Sequence, residues 1–224
     1  MGTVFTVTAC QFTGNTAAKE GGAIYAYGYS NSDYEFVNTL FVGNTAGNGS
    51  NDGKGGAVYN WSASDFINCT FVDNLAEDDG AGGQGGGIYN LLYTATITNC
   101  IFKNNEDGGG DDESSQIHVG SGTATVTYTA LSACDTGAGG FCYDSNDNNV
   151  EVSAVFVDSG DHPYQLQGGA SNDELIDLGL TSANSTSVDL AQADRKVDHQ
   201  NWDDDCEQES EEIDMGAYEV ECPE

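Results

Sequence analysis

Basic side chains are nearly absent: 5 Lys and Arg face 37 Asp and Glu, for a formal charge of -32 over 224 residues. Such a surface repels nucleic-acid phosphates and anionic lipid, so no nucleic-acid partner is expected and cations are the natural counterparts. The same scarcity weighs against a sugar-acid lyase, which needs a Lys or Arg base, because only Lys19, Lys54, Lys103, Arg195 and Lys196 are available. Lys54 aligns with Glu20 and Gln84 in neighbouring repeats, and a flanking carboxylate favours the charged amine over the base. No run approaches the roughly 18 apolar residues of a membrane span, so no membrane insertion by this segment is expected. Proline is confined to Pro163 and Pro223. Helical periodicity is missing from the first 132 residues, which leaves short strands punctuated by Gly, Asn and Asp. Nothing reads as a leader, because Met1-Gly2-Thr3 runs straight into strand-like Val4-Phe5-Thr6-Val7-Thr8. We read the chain as a mature or excised segment with an added start.

What the chain does have is a period. Phe12, Phe41, Phe71 and Phe102 are each followed three residues later by Asn15, Asn44, Asn74 and Asn105, in steps of 29, 30 and 31. Between them recur Gly21-Gly22-Ala23-Ile24-Tyr25, Gly55-Gly56-Ala57-Val58-Tyr59 and Gly85-Gly86-Gly87-Ile88-Tyr89. A unit of this size made of short strands cannot bury an apolar face alone, but stacked coils enclose a continuous core. The expected fold is all-β: a right-handed parallel β-helix, or solenoid, of about five coils with an irregular C-terminal cap. Handedness follows the general preference for right-handed crossovers. Residues 1–132 form the coils and 133–224 the terminal coil and an acidic cap.

Counted from each Phe, the position five before it is Val7, Phe36, Phe66, Ile97 and Val126, assigned to the interior. Two before is a row of small side chains, Cys10, Thr39, Cys69, Cys100 and Thr129, also interior. The Phe row, continued by Leu131, completes the inward set. The Asn row falls where a corner turns, and Asn both tolerates left-handed backbone and donates to the next coil. In a weaker fifth coil Gln116 to Val119 aligns with Gly87 to Asn90, and the stretch 150–157 reads as a last strand. Cys134 with Cys142 and Cys206 with Cys222 are plausible local disulfides, though four cysteines allow three connectivities. An acidic, disulfide-bearing chain suits an extracellular or cell-surface setting.

The tail carries Phe156-Val157-Asp158, Tyr164-Gln165-Leu166, Asp177-Leu178-Gly179, Arg195 and Asp214-Met215-Gly216-Ala217-Tyr218-Glu219. In these it resembles the close of right-handed parallel β-helix proteins of the choice-of-anchor type. The Gly-Gly-Ala-Ile and Phe-x-x-Asn coils resemble polymorphic outer-membrane adhesin repeats. The resemblance implies a β-helix at a cell surface and says little about activity. One departure stands out: Ser171 to Asp177 replaces the usual Ser-Pro-Ala-Ile-Asp.

Four sets of residues could carry chemistry. The outward row six before Phe holds Glu35 and Asp65 one coil apart, near the roughly 5 Å separation of a retaining glycosidase. Tyr25, Tyr59, Tyr89 and His118 should point outward and stack, first as a ladder that stabilises the coils without a ligand, and otherwise as aromatic faces for a glycan or another protein. Oxygen-rich loops bearing Asp107, Asp111, Asp112, Asp144, Asp147, Asp203 and Asp204 suit calcium, which takes six to eight oxygen ligands. Four Asn-x-Ser/Thr sequons begin at Asn48, Asn60, Asn68 and Asn184. The expected function is a non-enzymatic secreted or surface module for adhesion or extracellular assembly, calcium-stabilised, with glycans, surface proteins or further copies of itself as partners. The alternative is a polysaccharide-active enzyme, a glycoside hydrolase or lyase, on the outer face.

Overall fold

The computed structural model describes residues 3–28, 32–49, 52–78, 80, 82–135, 140–142, 147–151, 154, 156, 163–167, 175, 179–183, 189–191 and 215–218. The chain winds as a parallel β-solenoid of four sheets, each coil contributing one strand to a sheet before stepping up. The first sheet holds Thr3–Thr8, Ser32–Val37, Ala63–Ile67, Thr94–Thr98 and Thr123–Thr127. The second holds Gln11–Thr13, Leu40–Val42, Thr70–Val72, Ile101–Lys103, Ala130–Leu131 and Val150–Glu151. A third, of two-residue strands, holds Thr16–Ala17, Thr45–Ala46 and Leu75–Ala76. The fourth holds Ile24–Tyr27, Val58–Trp61, Ile88–Asn90 and Ile117–Val119. Every pairing between these strands is parallel, and equivalent repeat residues face one another, as in Phe41 with Phe71 and Tyr59 with Tyr89.

The interior is the predicted set. Phe36, Phe66, Ile97, Phe41, Phe71, Phe102 and Leu131 are fully buried in one cluster with Cys69 and Cys100. Phe41, Phe71 and Phe102 stack nearly flat, with centroids 4.6 and 4.5 Å apart. Burying each ring contributes roughly 2 to 3 kcal/mol. Glycine is required where the fourth sheet begins, because a Cβ at Gly56 would collide with the Gly86 carbonyl of the next coil.

The Asn row forms a ladder up the corner between the second and third sheets. The side-chain amide of Asn15 donates to Asn44 Oδ1 at 2.9 Å, Asn44 to Asn74 at 2.8 Å and Asn74 to Asn105 at 2.8 Å. Each acceptor also takes the backbone N–H of the Asn one coil below. In the fifth coil Gln116 takes over, its Oε1 accepting from Asn105 at 2.8 Å. The left-handed backbone expected at these Asn residues belongs instead to the residue before each, Gly14, Gly43, Asp73 and Asn104. A second left-handed row, Ala9, Asn38, Asn68, Asn99 and Tyr128, marks the corner between the first and second sheets.

The described part of the tail runs along the flank. Val150–Glu151 adds the last strand, pairing with Ala130–Leu131, and the disulfide partners Cys134 and Cys142 pack with Phe141 against the core. Beyond that, Ala154, Phe156, Leu166, Leu175, Met215, Ala217 and Tyr218 cover the outer face of the second sheet, against Leu40, Val42, Val72 and Ile101. Gln11 in the first coil donates to the Tyr218 hydroxyl at 3.0 Å, so the cover reaches the opposite end of the solenoid. The apolar outward residues of Leu40–Val42 show why the flank is covered, since both faces of that strand are buried. Cys206 and Cys222 lie outside the described residues.

Candidate functional site

Outward rows of the first sheet place Glu35 opposite Asp65 in adjacent strands, flanked by Thr6 and Thr96. Glu35 is half-buried and Asp65 exposed. Thr6 Oγ1 donates to Glu35 Oε2 at 3.3 Å. The two carboxylates are therefore neighbours on an open wall.

The aromatic row stacks as predicted. Ring centroids are 4.9 Å apart from Tyr25 to Tyr59, 5.3 Å from Tyr59 to Tyr89 and 5.0 Å from Tyr89 to His118, with interplanar angles of 12°, 7° and 5°. Within the row Tyr59 and Tyr89 are only 4% and 5% exposed. Each face is taken by the next ring, and the Lys54 ammonium sits 5.1 Å from the centroid of Tyr89. Burial, helped by the charge of Glu20, holds the Tyr59 hydroxyl well above the ordinary phenol range. Burial likewise pushes the His118 imidazole down; Asp107 and Asp112 oppose the shift and Lys54 adds to it. Only the lower end opens outward: Val4, Phe5, Tyr25 and Tyr27, all on the first coil, are the large apolar side chains exposed among the described residues.

The acidic loops are built from self-satisfied turns. Asp107 Oδ2 accepts from Gly85 N and Oδ1 from Gly109 N, at 3.1 and 2.8 Å. Asp112 caps a four-residue helix, Glu113–Gln116, through a capping box with Ser115. That helix is too short to leave a period in sequence, and it seats Gln116 at the upper end of the Asn ladder. Asp111 accepts from Gln116 at 2.7 Å. A cleft of about 500 Å3 is lined by Asp111, Asp112, Glu113, Asp135 and Glu151. Burial raises Asp111 and Glu113 above the usual carboxyl range. Among the described residues there is no group of three or more His, Cys, Asp or Glu side chains that could hold a metal ion. Asp147 is described on the loop beside Val150–Glu151, whereas Asp144, Asp203 and Asp204 lie outside the described residues. Asn60 and Asn68 are fully buried, which closes those two sequons to glycan attachment.

One feature of the surface was missed in the sequence: a second cleft, of about 310 Å3, between the second sheet and the tail, with Asp73, Lys103, Asn104 and Tyr164 in its lining. Its only sequence signal is that the left-handed corner, Gly in the first two coils, becomes Asp73 and Asn104 in the next two.

With the coils in place, the comparison with known families can be located on them. Residues 9–27 and 68–91 match the Chlamydia polymorphic membrane protein repeat. Each stretch spans one Phe-x-x-Asn corner and the following Gly-Gly strand, so the match covers the strands of the second, third and fourth sheets in the first and third turns and leaves out that of the first sheet. No curated protein and no solved structure matches the chain. The chain is thus a β-solenoid with polymorphic-membrane-protein-like repeats.

Proposed function

We propose that this chain is a non-enzymatic module of a secreted or surface protein, acting in adhesion or extracellular assembly through its outer wall. The observation that carries this reading is the match of two coils to a polymorphic membrane protein repeat. That name supports a surface or outer-membrane setting, as do the tail's resemblance to choice-of-anchor proteins and the Cys134–Cys142 disulfide. The filled interior leaves partners only the outside, where stacked coils offer an extended surface. Glycans or other surface proteins are the proposed partners, with the exposed aromatic end of Tyr25 and Tyr27 a contact for the latter. Calcium is proposed as a diffuse counterion of the acidic cleft, and equal melting temperatures in chelator and in millimolar calcium would remove it.

The second reading, a polysaccharide-active enzyme, rests on Glu35 and Asp65 standing side by side. One experiment separates the two. The protein is incubated with neutral and acidic polysaccharides, with and without calcium, and is also passed over immobilised glycans and host-type surface proteins. The module reading expects retention on a surface with no new reducing ends or unsaturated products. Products that disappear in Glu35→Gln would replace it with the enzyme reading.

A further inference from the structure

The second cleft combines features that the coils elsewhere do not. Its floor is the corner row of left-handed residues. At Gly14 and Gly43 an added Cβ would meet nothing within 4 Å, so side chains on this row project into open space. Glycine adopts this backbone at least cost, with Asn and Asp the next best suited. The third and fourth coils carry Asp73 and Asn104, at φ 54° and 53°, both exposed and both lining the cleft. A carboxylate and an amide are thus presented one coil apart.

The opposite wall is aromatic. Phe156 and Leu166 form an antiparallel bridge within the tail, and both pack against the outer face of the sheet. Tyr164 packs edge-on to Phe156, with centroids 6.1 Å apart at 72°. Lys103, one of only 5 basic residues in the chain, lies between the walls. Its ammonium donates to the Ala154 carbonyl and stands 5.1 Å from the Phe156 centroid, which fixes its position. An ammonium has three donors, so further hydrogen bonds are open to it.

We propose that this cleft binds a neutral sugar ring, with Tyr164 against the apolar face of the ring and Asp73, Asn104 and Lys103 on its hydroxyls. Hydroxyl groups both donate and accept, matching a carboxylate, an amide and an ammonium set around an aromatic surface. The volume, about 310 Å3, is at the small end of ligand sites and fits a short stretch of glycan. The chain's charge of -32 disfavours uronic or sialic residues, which selects neutral sugars. The assignment rests on the glycan arm of the proposed function and gives it an address.

The test uses the whole chain and a panel of neutral and acidic oligosaccharides, with binding followed by saturation-transfer NMR and titration. Asp73→Gly with Asn104→Gly removes both polar groups while installing the residue that the first two coils use, so the fold should survive. Neutral members should bind the parent, and both that double variant and Tyr164→Ala should bind about tenfold more weakly or less. The double variant should melt at or above the parent. Undiminished binding in both variants would overturn the cleft while leaving a glycan-binding module intact. Absence of neutral binding, or tighter binding of acidic members, would overturn the cleft without touching retention on surface proteins. A lower melting temperature in the double variant would assign the two side chains to the fold and also overturn it.

Discussion

Single residues on this solenoid act through their copies one coil away. Asn74 illustrates the point: its amide donates to Asn105 Oδ1 and to the Phe41 carbonyl, and its Oδ1 accepts from the backbone and side chain of Asn44. Removing it takes a partner from groups in the coils on either side. Asn74→Ala should lower unfolding free energy by roughly 3 kcal/mol, as buried polar groups lose their partners. Asn15→Ala, at the exposed end of the row, should cost about 1 kcal/mol or less by the same reasoning. Chemical denaturation of both variants checks the contrast, and equal losses would mean that the ladder is not cooperative along the stack. The buried thiols follow the same logic. Cys100 is held above the ordinary thiol range, chiefly by burial and then by its Cys69 neighbour, which suits a packing role over reactivity.

Among the elements, the second sheet is the one whose outer side the described tail residues cover. The covering segment includes Met215, Gly216, Ala217 and Tyr218, all buried. Ala217 N donates to Thr70 Oγ1 at 2.9 Å and Gly216 N to the Asn99 carbonyl at 2.7 Å. Leu180 pairs with the Asn99 side chain in both directions, at 2.6 and 3.1 Å. Gly216 has φ +94°, and a Cβ on it would stand 2.8 Å from both Ile101 Cδ1 and Thr70 Oγ1. Gly216→Ala should therefore loosen the tail and leave the coils wound, at a cost of roughly 1 to 3 kcal/mol. Hydrogen exchange locates the effect: faster exchange at Leu180, Leu190 and Met215 with unchanged protection at Ile88 and Ile97 is expected. Uniform loss across the coils would show that the tail is needed for the solenoid itself.

For the whole molecule, stability turns on managing charge. Asp111 and Glu113 bind their protons more tightly folded than unfolded, because burial penalises the carboxylate. The stability they contribute is complete below their ordinary carboxyl values and is lost as pH rises through the raised folded ones. His118 opposes them: its lowered value favours the neutral ring, so acidification through the imidazole range costs stability. On acidification from neutrality the melting temperature of His118→Phe, which keeps a ring in the stack, should rise relative to that of the parent, because the opposing imidazole is gone. A flat profile in that variant would remove the account. How much of this molecule was legible in advance differs by row. Phe, Cys/Thr and Asn positions were readable because parallel in-register stacking repeats one environment at every coil, so the sequence shows the same residue type each time. The tail's destination was not readable, although Leu40, Val42, Val72 and Ile101 hinted at a covered face. Nor were the burial of Tyr59 and Tyr89 and the cleft at Asp73 and Asn104. The sequence by itself thus determined the coil, its period and its core, which depend on neighbours a fixed distance away. Tertiary structure alone decided which outer faces remain open, because that depends on where a non-repeating tail of nearly a hundred residues comes to rest.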